Sequence, residues 1–349
     1  GILLAEALMH LEQFKQASSV LDGYQLNIKT PKRYWQLLLS ANAKQGEGKD
    51  IFSILDNWHK TNPYHIEPVF LLVKYWMGQK SPDRAMNVLH DAFKKHPNNL
   101  MLHLVKMQVL LDNNRTNDAK SLFKALDKFD INENLLAGIE GRILLLERNF
   151  SAAVPKLTQQ YQARPISSNA SYLAFALEGN NQKEEAIELL EQFSDKERVD
   201  KKINPRISLS LANMYLAEHQ DKAIVEYERL MKVVPNNIVV LNNLSWLYME
   251  QEKYIQALKH SKQAYALNAK IPNVVDTYAQ ALLKSKQKIT ALAKAKEAYD
   301  LSKGKNIDIA LNLAETLLAN NQSKEAQILL GGINVVTAAQ KEKKQILLQ

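Results

Sequence analysis

The chain has 349 residues, 46% of them hydrophobic and 23% charged, with 11 Gly, 10 Pro and no Cys. That apolar content supplies a core and excludes disordered or fibrous architectures, and the lack of cysteine removes disulfides, thiolate metal sites and cysteine nucleophiles. The formal net charge is +8, and residues 236–349 hold 15 bases, all lysine, against 9 acids; a lysine surplus spread over helix faces is solubilising and, without arginine for bidentate contacts, disfavours nucleic acid as a partner.

The chain begins at Gly1 inside a pattern that is already helical, with Leu4, Leu8 and Leu11 on one face and neither a basic leader nor a cleavage site. This predicts a segment of a longer protein whose clipped first unit leaves an apolar end able to self-associate. No window approaches 18 consecutive apolar residues, so no membrane insertion by this segment is expected. Farther along, one phase recurs: Ala17, Ile51, Ala85, Ala119, Ala153, Ala186, Ala223, Ala257, Ala291 and Ala326, at steps of 34, 34, 34, 34, 33, 37, 34, 34 and 35 residues. Proline follows twelve residues later at Pro63, Pro97, Pro165 and Pro235.

Each unit reads as two helices. Apolar residues at helical spacing form the first, as in Ala170, Leu173, Ala174 and Leu177 or Leu241, Leu244, Ser245 and Tyr248. A turn follows at Gly46, Asn113-Asn114, Asn180-Asn181 and Asn320-Asn321, residues that tolerate the left-handed conformation. The second helix then holds the small residue and stops before proline. Four departures stand out. Ile51 replaces the small residue, and Lys106 falls where an apolar residue is expected. Ala269 takes the proline position, with Pro272 three residues on. A charged insertion near 194–205, together with a one-residue shortening at His219 to Asp221, predicts a longer connection and a bend. After Gly331-Gly332, a capping helix about 337–349 should pack Ile346, Leu347 and Leu348 and turn Lys341, Lys343 and Lys344 outward.

This pattern resembles the tetratricopeptide repeat, a helix–turn–helix family. The best unit is Leu241 to Ala269, with Leu244, Ser245, Tyr248, Tyr254, Ala257 and Ala264 at signature positions. The resemblance implies an all-α fold, a right-handed α-solenoid superhelix of about ten tetratricopeptide repeats, running as one solenoid over 1–349. The stretches Leu241 to Tyr248 and Pro272 to Leu282 are also similar to units of bacterial exosortase-associated (PEP-CTERM system) tetratricopeptide lipoproteins. That second resemblance implies a periplasmic or envelope-anchored parent, lipidated on a cysteine upstream, with a role in exopolysaccharide or surface-protein sorting.

Catalytic chemistry finds no foothold in the sequence. None of the eight histidines forms an i, i+4 pair, and Gly46-Glu-Gly-Lys-Asp50 lacks the spacing and the Ser or Thr of a phosphate loop. No nucleophile, base and orienter set can be assembled, so neither catalytic residues, metal nor cofactor is expected. The resemblance also implies a test for the carboxylate grip found in some tetratricopeptide domains: it would start from Asn213 and Asn243, but Asn273 and Thr277 stand where that grip has cations.

The expected function is recognition of a partner polypeptide in the groove lined by first helices. Its candidate residues are Phe70, Lys74, Phe175, Arg206, Asn213, Asn242, Trp246, Asp276, Gln280, Asn312 and Glu315. Trp246 is the sharpest of these, because Leu244, Ser245 and Tyr248 already serve the packing of its helix. Phe70 and Phe175 have an alternative place in the core. The alternative function is a regulatory or substrate-presenting arm of an enzyme whose catalytic domain lies outside this segment.

Overall fold

A computed structural model describes residues 1–45, 51–199 and 203–349. Among these residues there are twenty-one α-helices and no strand. They group into two compact units, Gly1–Ala163 and Arg164–Gln349. The N-terminal unit holds five antiparallel pairs: α1 (Ile2–His10) with α2 (Phe14–Asp22), α3 (Lys32–Gln45) with α4 (Ile51–Thr61), α5 (Glu67–Gly78) with α6 (Pro82–Lys95), α7 (Leu100–Asp112) with α8 (Thr116–Ala125), and α9 (Glu133–Leu146) with α10 (Phe150–Ala163). In the C-terminal unit the pairs are α11 (Ser167–Gly179) with α12 (Lys183–Val199), α13 (Pro205–Tyr215) with α14 (Gln220–Met231), α15 (Ile238–Glu250) with α16 (Tyr254–Leu267), α17 (Pro272–Lys284) with α18 (Lys288–Leu301), and α19 (Ile307–Ala319) with α20 (Ser323–Gly332). A last helix, α21 (Ala338–Leu348), packs on α19 and α20. Within each unit the helix pairs stack as an α-solenoid.

The recurring alanine explains the pairing. In nine of the second helices it is the fourth residue, and Ala17, Ala85, Ala119, Ala153, Ala186, Ala223, Ala257, Ala291 and Ala326 are all 0% exposed. A methyl there lets the partner helix approach until backbone atoms meet side chains: Ser245 Oγ of α15 donates to the Ala257 carbonyl of α16 at 2.8 Å. Five residues earlier sits the joint. Glu12, Lys80, Asn114, Arg148, Asn181, Glu252, Lys286 and Asn321 all have φ between 53° and 63°. Asn at this point was legible as a turn; Glu, Lys and Arg were not, and the joint imposes the conformation on them at a cost of about 1 kcal/mol each. The first helices carry their own start signal. Asn99, Asn132, Asn204, Asn237 and Asn306 each accept backbone N–H bonds as N-caps of α7, α9, α13, α15 and α19.

The departures resolve locally. Ile51 is half-buried, and burial in α4 passes to Ile54, Leu55 and Trp58; the Trp58 ring stacks on Trp35 of α3 at 6.0 Å and 5°. Lys106 is half-buried and lays its ammonium 5.7 Å from the centre of the Phe93 ring, a cation–π contact where an apolar residue was expected. In place of a long loop, the first part of the charged insertion continues α12 through Val199; Gly46, part of the Gly46-to-Asp50 stretch, and 200–202 lie outside the described residues. The α13–α14 joint, at the predicted shortening, turns through Leu216 with helical φ and ψ and uses no left-handed residue.

The capping helix exists, with its faces assigned differently. Lys343 and Lys344 point inward to hydrogen bonds, while Ile346 (61% exposed) and Leu348 (54% exposed) face out. The surface that α21 meets on α19 presents Asp308, Asn312 and Glu315, and those acceptors favour ammonium groups over methyls.

Candidate partner-binding surface

On a helix with Leu241, Leu244, Ser245 and Tyr248 turned into the core, the ninth residue points away from it. In the C-terminal unit the ninth residues of the first helices are Phe175, Asn213, Trp246, Gln280 and Glu315. Phe175 is 52% and Trp246 40% exposed, both large apolar rings held at the surface on α11 and α15. Arg206, exposed at the start of α13, places its guanidinium 5.4 Å from the centre of the Tyr172 ring. In the N-terminal unit Lys74 is exposed, whereas Phe70 is half-buried against the cluster of Val69, Val73, Leu89 and Leu102. The two phenylalanines therefore part company: Phe70 belongs with the core and Phe175 with the surface.

Asn213 meets a residue that sequence reasoning missed. Tyr227 of α14 is fully buried in its ring, and its hydroxyl donates to Asn213 Oδ1 at 2.5 Å while accepting from Asn243 Nδ2 at 2.8 Å. Burial raises its pKa, against the opposing Asn243 bond, so it stays a neutral phenol. Both asparagines of the incomplete carboxylate grip thus have a common partner within the fold. The only sequence trace was a tyrosine in phase with the helical core stripe, which periodicity reads as packing.

A second group joins α17, α19 and α21. Asp276 is 9% exposed; its Oδ2 accepts from Asn312 Nδ2 at 2.6 Å, and Asn312 Oδ1 accepts from Lys343 Nζ at 2.6 Å. Gln280, also buried, donates to the Asn312 carbonyl at 3.3 Å. Glu315 pairs with Lys284 at 3.3 Å and Lys343 at 2.8 Å. Asp276 and Gln280 are therefore corrected from open groove residues to buried supports, because the neighbouring first helix closes over them. Burial pushes the Asp276 carboxyl up to about 6, against the pull of Asn312 and Lys343. Burial acts to raise Glu315 too, but the two lysines outweigh it and hold that carboxyl below the ordinary range. Asn242 Oδ1 and Asp276 Oδ1 are buried acceptors without a hydrogen-bond partner.

By repeat phase, the N-terminal unit has a related pair of opposite sign. Arg142 of α9 bonds Gln108 at 2.8 Å and Asp112 of α7 at 3.0 Å, the positions that correspond to Glu315, Gln280 and Lys284. Among the described residues, no group of three or more His, Asp or Glu is placed to hold a metal ion. Aromatic faces, amides, the Arg206 guanidinium and the Glu315 carboxylate are what the surface of the C-terminal unit offers.

No protein-family model matches the chain, and no curated protein matches it in sequence. Solved structures do. The chain is similar to a chain in the APC/C hetero-tetramer Cut9-Hcn1, at 14% identity over 99% of this chain and 75% of that one, with a TM-score of 0.58. The fold is of the tetratricopeptide type. Weaker likenesses are to the C-terminal part of a TPR repeat-containing protein from Cytophaga hutchinsonii (13% identity, 68% of this chain and 98% of that one, TM-score 0.49) and to YrrB, a TPR protein with an unusual peptide-binding site (15%, 55% and 91%, TM-score 0.43).

Proposed function

We propose that this chain is a non-catalytic scaffold that binds a partner polypeptide along the first helices of its C-terminal unit. The observation that carries the reading is the surface tryptophan. Trp246 stays 40% exposed on a helix whose packing positions are all filled by its neighbours, and Phe175 repeats the arrangement at the equivalent position of α11. A rigid ring kept in water at this cost in apolar exposure suits an anchor for a partner side chain. Asn213 and Arg206 lie on α13, the first helix between those of the two rings in chain order, and supply polar contacts beside them. The envelope-sorting role rests on the sequence resemblance alone and is tested by fractionating the source cells.

Trp246→Ala is expected to weaken partner binding by about 2 kcal/mol or more while leaving the helical signal and melting temperature nearly unchanged. The measurement is an affinity titration of a partner captured by photo-crosslinking at position 239, an exposed site two turns before Trp246 on α15. An unaltered affinity in a folded Trp246→Ala protein overturns the reading.

A further inference from the structure

Helix α21 is held in place by polar atoms. None of its residues is buried, Ile346 and Leu348 are exposed, and Leu347 leans on the cluster of Ala310, Leu311, Ala314, Leu330 and Ile333. The remaining hold is three side chains. Gln340 donates to Asp308 at 3.0 Å, Lys344 to the Ile333 carbonyl at 2.7 Å, and Lys343 to Asn312 Oδ1 at 2.6 Å with Glu315 Oε2 at 2.8 Å. An eleven-residue helix of this kind is marginal by itself in water, so it depends on these contacts to stay helical.

The acceptors that take Lys343 are arranged without help from α21. Asn312 has an amide with a donor end and an acceptor end; its Nδ2 is engaged by Asp276 Oδ2 from α17, which leaves Oδ1 facing the ammonium. Glu315 gives Oε1 to Lys284, also of α17, which leaves Oε2 for Lys343. The pair is a preset cradle for one primary ammonium, and Glu315 is at the same time the last member of the ninth-position stripe.

We infer that Asn312 Oδ1 and Glu315 Oε2 form a lysine-recognition site at the end of that stripe, filled in cis by Lys343, for which a lysine of a bound partner polypeptide competes. The site stands on the geometry above; that the competing lysine belongs to a partner rests on the proposed function. A tethered helix competes at an effective concentration in the millimolar range. A free lysine does not displace it, whereas a polypeptide already anchored at Trp246 brings its own lysine to a comparable local concentration.

The test uses the full chain. In Lys343→Met, hydrogen exchange of the α21 amides is expected to rise at least about tenfold, and in Lys341→Met, where the lysine is exposed, to stay unchanged. A fluorescent peptide spanning 336–349 is then titrated into the chain carrying Lys343→Met and Leu347→Ser, beside the same peptide with norleucine in place of its lysine at 343. The lysine peptide is expected to bind at least about tenfold tighter. Unchanged α21 exchange in Lys343→Met, or equal affinity of the two peptides, overturns the site. Both readouts are independent of Trp246, so loss of the anchor reading leaves them standing and their loss leaves it standing.

Discussion

The two ends of the molecule solve the same packing problem with different residues. In the first two repeats, Trp35 and Trp58 stack, Tyr34 meets Trp35 edge-on at 5.0 Å, and Phe52 lies 4.9 Å from Trp76 of the next repeat. Around α17 to α20 the buried set is Ala279, Ala295, Ala298, Ala310, Ala314 and Ala326 with Val275, Ile309, Ile333 and a few leucines, and, among the described residues, no buried aromatic ring. Large rings bury much area through few residues and tolerate Ile51 where a methyl is the rule. Small residues gain by close backbone approach instead, so they have no slack for extra volume. The aromatic end is therefore sensitive to deletion and the alanine end to addition.

The strongest test of that contrast is Trp35→Ala, which removes the stacked ring and leaves the Asn62 amide oxygen, its partner at 2.9 Å, without a donor. A loss of about 3–5 kcal/mol is expected. Because solenoid stability is a sum of neighbour terms, hydrogen exchange should rise in the first repeats and stay unchanged in Arg164–Gln349. Uniform loss across both units breaks the comparison. Next in size, Ala257→Leu should cost about 1–3 kcal/mol by forcing α15 and α16 apart, while Ala266→Leu, at an exposed site, stays within about 0.5 kcal/mol. Equal melting temperatures for the two leucine variants contradict the close contact.

The smallest expected effect is one of pH. The Asp276 carboxyl sits at about 6 in the folded protein, above the roughly 3.9 of an unfolded chain, so the native state binds the proton first. Its contribution to stability therefore grows as pH falls from above 6 toward 4 and is lost as pH rises through 6. Asp276→Asn should flatten that window and stabilise the C-terminal unit by about 1 kcal/mol at pH 8. Chemical denaturation at several pH values, with the difference taken between the two proteins, checks the sign; a variant less stable at pH 8 contradicts it.

The fold was almost fully legible because its signal repeats. An alanine at a fixed phase and an asparagine at some joints carry the same information many times, and the backbone then enforces the joint on Glu12, Lys80, Arg148, Glu252 and Lys286 as well. The surface was legible in part. Trp246 stands out because a helix has only so many inward positions, whereas for Phe175 the sequence left core and surface both open. Asp276 and Gln280 did not, since their burial depends on the neighbouring first helix, which no single-helix pattern contains. Tyr227 and Lys343 were hidden for a related reason: each looks like routine packing or solvation until residues 14 to 31 positions away are seen to meet it.

The charge reversal between Arg142 with Asp112 and Glu315 with Lys284 gives two positions of the repeat a different electrostatic partner in each unit. Moving α9 into the place of α19 would set Arg142 against Lys284, two cations at ion-pair distance. Exchanging these helices would therefore trade an ion pair for a like-charge contact, a repulsion of about 1 kcal/mol or less at these part-exposed sites.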